Sequence, residues 1–214
     1  MKTANATLQQ DTHQFHVKWV TTAQPDIKTL FDSYALRYQE YKQWVAPPYD
    51  QLALDIDPFD ELAKYHLGIF DDHGMLAACV RVLVHPAPFM LHYAFDQAFV
   101  NLPVQGPSIE LSRAVIHPKY QNQALSKRFP GHQMLSLLMR EVFRICKKEE
   151  IDLLYMATLE KAVRKGQRYG YPFQVLQTAT MQNGDVVLVV SLSWAQLQKV
   201  QQQQNPDLAN WFCA

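Results

Sequence analysis

Glu110, Ser112 and Arg113 lie inside one short, otherwise apolar run, Pro107-Ser-Ile-Glu-Leu-Ser-Arg-Ala-Val-Ile-His-Pro118. A carboxylate can take a proton from an attacking nucleophile, a hydroxyl can donate or accept at short range, and a guanidinium can hold an anion. Each is costly to bury unless paired or used. Two readings of this run stay open: a catalytic set, or an ion pair that pins the strand. The same question attaches to Arg81, the lone charge in Leu76-Ala-Ala-Cys-Val-Arg-Val-Leu-Val84, and to Arg37, beside a stripe of Ile27, Leu30, Phe31, Tyr34 and Tyr41. Asp55, Asp57 and Asp60 add three carboxylates between Tyr49 and Leu62. Taken singly, Arg37 is expected to run over an apolar face into water, and the acidic segment to be solvated surface.

The remaining reactive types offer less. Eight histidines are scattered without paired metal-ligand spacing, and His66, His85 and His117 fall at strand ends, where hydrogen-bonded structural histidines are common. Cys79 and Cys146 sit in apolar runs as buried thiols, and an odd cysteine count suits a reducing cytoplasm. Metal and nucleophilic-cysteine chemistry are therefore poorly supported.

The elements that must position these groups follow from pattern. Residues 1–14 are polar and read as a tail without a secretory apolar segment; residues 15–214 read as one domain. Phe15–Val20 is a first strand, and Asp26 caps a helix that ends by Pro47-Pro48. His66–Phe70 and Met75–Val84 form a hairpin across Asp71-Asp-His-Gly74. Prolines 86, 88, 103 and 107 make a long connection, with one short helix near Tyr93–Phe99. The central strand is bounded by Gly106-Pro107 and Pro118. Strict alternation sends Glu110 and Ser112 to one face and Arg113 to the other, unless a bulge re-aims one of them. Leu135, Leu138, Met139, Val142 and Cys146 mark an amphipathic helix. Asp152–Met156 is a buried strand, Leu159–Tyr169 a basic helix stopped by Gly170, and Phe173–Leu176 with Val186–Leu192 a strand pair around Asn183-Gly184. A glutamine-rich helix broken at Pro206 closes the chain. The result is a mixed sheet flanked by helices, with two helical crossovers in the second half.

The chain has 214 residues, 48% hydrophobic and 12% aromatic, enough for a sizeable core. Lys plus Arg equals Asp plus Glu at 20 each. No overall field favours nucleic acid or a membrane surface, and no run reaches the length of a membrane span. A cytoplasmic protein is expected.

This order of elements is that of the GNAT-type acyltransferases. The ordered set Arg37-(x)3-Tyr41, Asp57-Pro-Phe-Asp60, Val80-Arg-Val-Leu83, Pro88-Phe-Met-Leu91 and Glu110-Leu-Ser-Arg113 resembles the signature of the acyl-homoserine-lactone synthases over about residues 30–120. The second half, with Val115-Ile-His-Pro-Lys-Tyr120, Arg168-Tyr-Gly-Tyr171 and Asn205-Pro-Asp-Leu-Ala-Asn-Trp-Phe212, is similar instead to the N-acyl amino acid synthases and exosortase-associated acyltransferases. Trp44 stands earlier than the tryptophan of the lactone synthases, and no Gly-rich phosphate loop follows Tyr120. The resemblance implies an α/β (α+β) GNAT-like fold with a mixed, mostly antiparallel sheet.

It also implies a reaction. A fatty acyl thioester on acyl carrier protein, or acyl-CoA, serves as co-substrate without a bound cofactor, and a small-molecule amine attacks it. Glu110 is the implied base, with Ser112 and Arg113 beside it and a backbone N–H near Val115 for the oxyanion. Arg37, Tyr41, Trp44, Asp57, Phe59, Asp60 and Arg81 are the implied acceptor-binding residues, with the arginines and aspartates converging. Gly166 occupies the place of the usual GNAT tyrosine acid, leaving Tyr169 a poor match. Because carrier protein is acidic, Lys119, Lys127, Arg128, Lys165 and Arg168 are the expected docking residues. The acceptor is a free amino acid in one reading and S-adenosylmethionine, giving a quorum-sensing lactone, in another. A non-catalytic GNAT-like binding module is the competing class.

Overall fold

The computed structural model describes residues 15–21, 23–42, 48–93, 106–122, 134–181 and 184–213. Strand β1 (Phe15–Val20) leads into helix α1 (Ile27–Tyr41), and a short α2 (Phe59–Leu62) closes the acidic segment. Then come β2 (Tyr65–Asp71), β3 (Leu76–Val84), β4 (Ser108–Ile116), α3 (Met134–Lys148), β5 (Leu153–Leu159) and α4 (Glu160–Arg168). The last elements are β6 (Gln174–Thr180), β7 (Val186–Ser193), α5 (Trp194–Gln204) and α6 (Pro206–Cys213). The seven strands form one mixed sheet in the order β1-β2-β3-β4-β5-β7-β6. β4 runs parallel to β5, while β1–β2, β2–β3, β5–β7 and β6–β7 are antiparallel. The expected short helix near Tyr93–Phe99 falls largely outside the described residues; a 3-10 turn stands just before it, at Met90–His92.

Local chemistry sets these boundaries. Asp26 caps α1, its two carboxylate oxygens accepting from the Thr29 N–H and hydroxyl at 3.1 and 3.0 Å. Asp71 organises the β2–β3 turn, one oxygen accepting from the His73 and Met75 amides and the other from the Tyr120 hydroxyl at 2.5 Å. Gly170 ends α4 at φ +81°, a left-handed conformation that favours glycine. Ser193 caps α5 through the Gln196 amide, and Asp152 anchors that corner by accepting from the Ser193 hydroxyl and the Ala195 amide.

The chain divides into two compact units, Met1–Val82 with Arg113–Met139 and Leu83–Ser112 with Arg140–Ala214. In the first, Leu36, Phe70, Leu76, Cys79 and Val115 form a buried cluster with Tyr41 packed against it. In the second, Phe143, Trp194 and Phe212 bring α3, α5 and α6 together, with ring centroids 5.4 to 6.3 Å apart. Such ring pairs contribute about 0.5–1.5 kcal/mol each beyond their buried area.

Helix α1 corrects the sequence reading. Its aromatic stripe does not define the inner face: Ile27 is 77% and Phe31 56% exposed. The buried residues are Thr29, Ser33, Leu36 and Arg37, themselves at helical spacing but mostly polar. Arg37 is not a surface residue reaching water; it is 1% exposed.

Candidate active site

The first unit gathers three arginines and three aspartates from four places in the chain. Arg37 on α1 donates from Nε to Asp55 at 2.9 Å and from both terminal nitrogens to Asp60 at 2.7 and 3.0 Å. Arg81 on β3 donates to Asp57 at 2.5 Å and lies 3.1 Å from Asp60. Arg113 on β4 reaches Asp55 at 3.1 Å and Asp57 at 3.2 Å. Each guanidinium also stacks on an aromatic ring: Arg37 on Tyr34, Arg81 on Phe59 and Arg113 on Tyr41, at 5.2, 5.7 and 5.0 Å. Arginine suits this arrangement because its planar fork binds carboxylates in pairs and stacks on rings.

With the carboxylates ionised, the charges of this set cancel, which makes its burial tolerable. Burial alone would push Asp60 toward the neutral form, but the charges and hydrogen bonds of Arg37 and then Arg81 overcome it and lower its pKa. The same contacts raise Arg37 above its ordinary value against the opposing effect of burial. The acidic segment is folded around its own carboxylates. Asp60 accepts from the Asp57 amide at 2.9 Å, and Asp57 from the Phe59 amide at 2.8 Å. Asp55 and Asp60 are buried, so the expectation of a solvated loop fails. His66 lies against this set, its Nε2 3.3 Å from the Asp60 carbonyl, and burial lowers its pKa despite the Asp60 charge.

The strand carrying Arg113 is irregular there. Arg113 adopts φ +53°, a conformation that costs a non-glycine residue about 1–2 kcal/mol. Tyr41 steadies the next residue, its hydroxyl donating to the Ala114 carbonyl at 3.1 Å. The irregular residue that the alternation argument allows for is thus Arg113 itself, and its guanidinium meets Asp55 and Asp57.

The second unit holds the other charged residue of this strand. Glu110 is 2% exposed, and its Oε2 accepts from the Leu91 amide at 3.3 Å. Ser112 is buried too. The parallel ladder of β4 with β5 pairs Ser108–Glu110 with Leu153–Tyr155, so Tyr155 stands beside Glu110. Val115, in the first unit, packs with Cys79. Burial pushes the Cys79 thiol up to about 12, partly offset by Arg37 and by hydrogen bonds with Ser33 and the Val115 backbone. That thiol is inert at neutral pH.

The basic residues fall into separate settings. Lys119 lies 3.7 Å from Asp71 and over the Tyr120 ring at 5.0 Å. On α4, Arg164 pairs with Glu160 at 2.7 Å, and an open depression of about 530 Å³ is lined by Arg164, Gln167 and Arg168. Lys165 lies on the same helix. Trp44, Lys127 and Arg128 lie outside the described residues. Tyr169 caps α4 with its backbone amide. Among the described residues no group of side chains is arranged to hold a metal ion, and no helix is long and apolar enough to cross a membrane.

Sequence reasoning left out Asp55, Tyr34 and the Leu91 amide. Asp55 had a signal, since Asp55-x-Asp57-x-x-Asp60 offers three carboxylates for three buried arginines. A backbone amide has none.

Residues 36–129 match the family model described as an acetyltransferase (GNAT) domain. The AHL synthase LasI superposes with a TM-score of 0.71 at 21% identity, covering 90% of this chain and 95% of its own. The CoA-dependent acyl-homoserine lactone synthase BjaI, solved with SAM and isopentyl-CoA, gives 0.66 at 14% identity, covering 94% and 99%. FeeM, an N-acyl amino acid synthase from uncultured soil microbes, gives 0.61 at 9% identity, covering 89% and 97%. No curated protein matches the chain in sequence.

Proposed function

We propose that this chain is an acyltransferase of the GNAT type and moves a fatty acyl chain from a carrier-protein thioester to the amine of an amino acid, a reading that the match to a GNAT domain over residues 36–129 supports. The observation that carries the reading is Glu110: a buried carboxylate inside β4 that accepts from a backbone amide. An amine attacks only when neutral, so the carboxylate accepts its proton as the C–N bond forms. The tetrahedral oxyanion then collapses, the C–S bond breaks, and the thiolate leaves and is protonated. Backbone N–H groups beyond Arg113 are the proposed oxyanion donors, other than that of Val115, which is engaged by the Cys79 sulfur. Three residues along β4 from Glu110, Arg113 belongs to the charged set that binds the acceptor. Arg113 and Asp57 are its least buried members, with side chains 12% and 18% exposed. Together they offer a cation for a carboxylate and an anion for an ammonium. Arg37, Arg81 and Asp60 hold them in place, and Tyr41 and Phe59 pack over the arginines. Lys165 and Arg168 on α4 are the proposed docking residues for acidic carrier protein, and Lys119, Lys127 and Arg128 are proposed for the same role from sequence.

S-Adenosylmethionine is the second acceptor to consider, since it carries the same α-amino-acid group and the likeness to BjaI, solved with SAM, favours it. Incubating the protein with dodecanoyl carrier protein or dodecanoyl-CoA tests both readings. The common amino acids are supplied in one reaction and S-adenosylmethionine in another, with products identified by mass spectrometry. An N-dodecanoyl amino acid supports the proposal, and an acyl lactone with methylthioadenosine supports the second reading. Absence of either product with both donors overturns both and leaves a binding module.

A further inference from the structure

A 3-10 turn leaves its first backbone N–H groups without an acceptor inside the turn. In Met90–His92 the preceding residue is Phe89, which makes no side-chain cap. A local cap needs only Ser, Thr, Asp or Asn at that position. Instead the Leu91 N–H donates to Glu110 Oε2, 3.3 Å away and buried, from a strand 19 residues later in the chain. The turn is closed by the His92 amide on the Phe89 carbonyl at 3.3 Å and the Tyr93 amide on the Met90 carbonyl at 2.9 Å. Phe89 is 1% exposed; its ring lies 6.2 Å from Tyr155 and 6.3 Å from His92. Tyr155 is the residue that β5 pairs with Glu110. The ring therefore ties the turn to the strand beside Glu110, and the amide of the turn ties the carboxylate.

We infer that the turn Phe89–His92 is the positioning element of Glu110, with the Leu91 N–H orienting the carboxylate and Phe89 anchoring that N–H; this rests on Glu110 being the base. A glutamate side chain has three rotatable bonds, and a base acts only within hydrogen-bond reach of the proton it removes. Fixing one oxygen removes most of the rotamers that point elsewhere. Phe89 and Leu91 do not act on the substrate; they act through Glu110.

The test replaces the amide while keeping the side chain. Leu91 is exchanged for its α-hydroxy acid by nonsense suppression, so the N–H becomes an ester oxygen. Rates are read with dodecanoyl-CoA, dodecanoyl carrier protein and the acceptor mixtures above, by thiol release and mass spectrometry. The expected result is a kcat lowered about 10- to 100-fold, as for loss of a hydrogen bond to a charged group, with both KM values within about twofold. In the Glu110→Gln background the ester should cause no further loss, because the two changes act on one group. Phe89→Leu should give a smaller drop confined to kcat, and it decides the matter if the ester protein does not fold. A lowered melting temperature with unchanged kcat in both variants makes the turn a structural cap and overturns the inference. If at the same time Glu110→Gln is inactive, the base assignment survives. A fully active Glu110→Gln enzyme overturns both.

Discussion

Two charges on β4, three residues apart, are held in opposite ways. Arg113 enters a set of three cations and three anions in which every member has two partners of opposite charge. Glu110 sits in the other unit, where a backbone amide of a short turn donates to it. A multiply bonded, neutral set is over-determined: it fixes backbone and tolerates little loss. A carboxylate that accepts from a backbone amide is oriented at a fixed point on the strand, as the proposed base requires. The first arrangement is a structural frame, and the second carries the proposed base.

The sharpest break of this contrast is Glu110→Gln. It keeps shape and hydrogen bonding, so the fold should persist while kcat falls about 10²- to 10⁴-fold, as for loss of a general base. Steady-state rates with circular dichroism decide it. An unfolded variant would place Glu110 among the structural charges.

Asp60→Asn tests the other side. It leaves Arg37 and Arg81 short of a counter-charge in a desolvated setting, which should cost about 3–5 kcal/mol of stability, and activity along with it. Urea unfolding measures this. Unchanged midpoint and rate would mean that the set contributes nothing to either.

Acid should strike the first unit through the same residues. His66 is kept neutral by burial with its pKa lowered, so the unfolded chain takes its proton first. Stability is complete above the ordinary histidine value near 6.5 and should decline as pH falls below it. Asp60, lowered from 3.8, contributes stability that is present above that value and lost as pH drops through the folded one. Urea midpoints against pH should therefore show two steps. In Asp60→Asn the lower step should shrink.

The smallest effect expected is at α4. Lys165→Glu with Arg168→Glu should raise KM for a carrier-protein donor several-fold and leave acyl-CoA nearly unchanged. The wild-type carrier reaction should weaken with salt, because exposed charges are screened over about 8–10 Å at physiological ionic strength. Equal behaviour of both donors would move the docking surface elsewhere.

The order of strands and helices was legible in the sequence because it rests on short-range signals. Asp26 before a periodic run, Gly74 and Gly184 in turns, Gly170 after a basic helix and Pro206 inside a glutamine-rich one all act within a few residues. The oddity of Glu110, Arg113 and Arg81 was equally plain, since a charge inside an apolar strand stands out without any fold. What failed was the inner face of α1. Hydrophobic periodicity assumes that a buried face is apolar, whereas this one packs Thr29, Ser33 and Arg37 inward, and Arg37 meets two carboxylates. Burial of an arginine depends on partners 18 and 23 residues away, and no local signal reports whether they arrive. The same holds for Asp55 and Asp60, which read as solvated loop until the guanidinium groups are placed. The Leu91 amide is the extreme case, because every residue but proline carries one and only the tertiary fold brings this one to Glu110. Residue types and spacing picked out the charges that stand inside apolar strands, and long-range pairing alone decided which of them join the buried arginine–aspartate set.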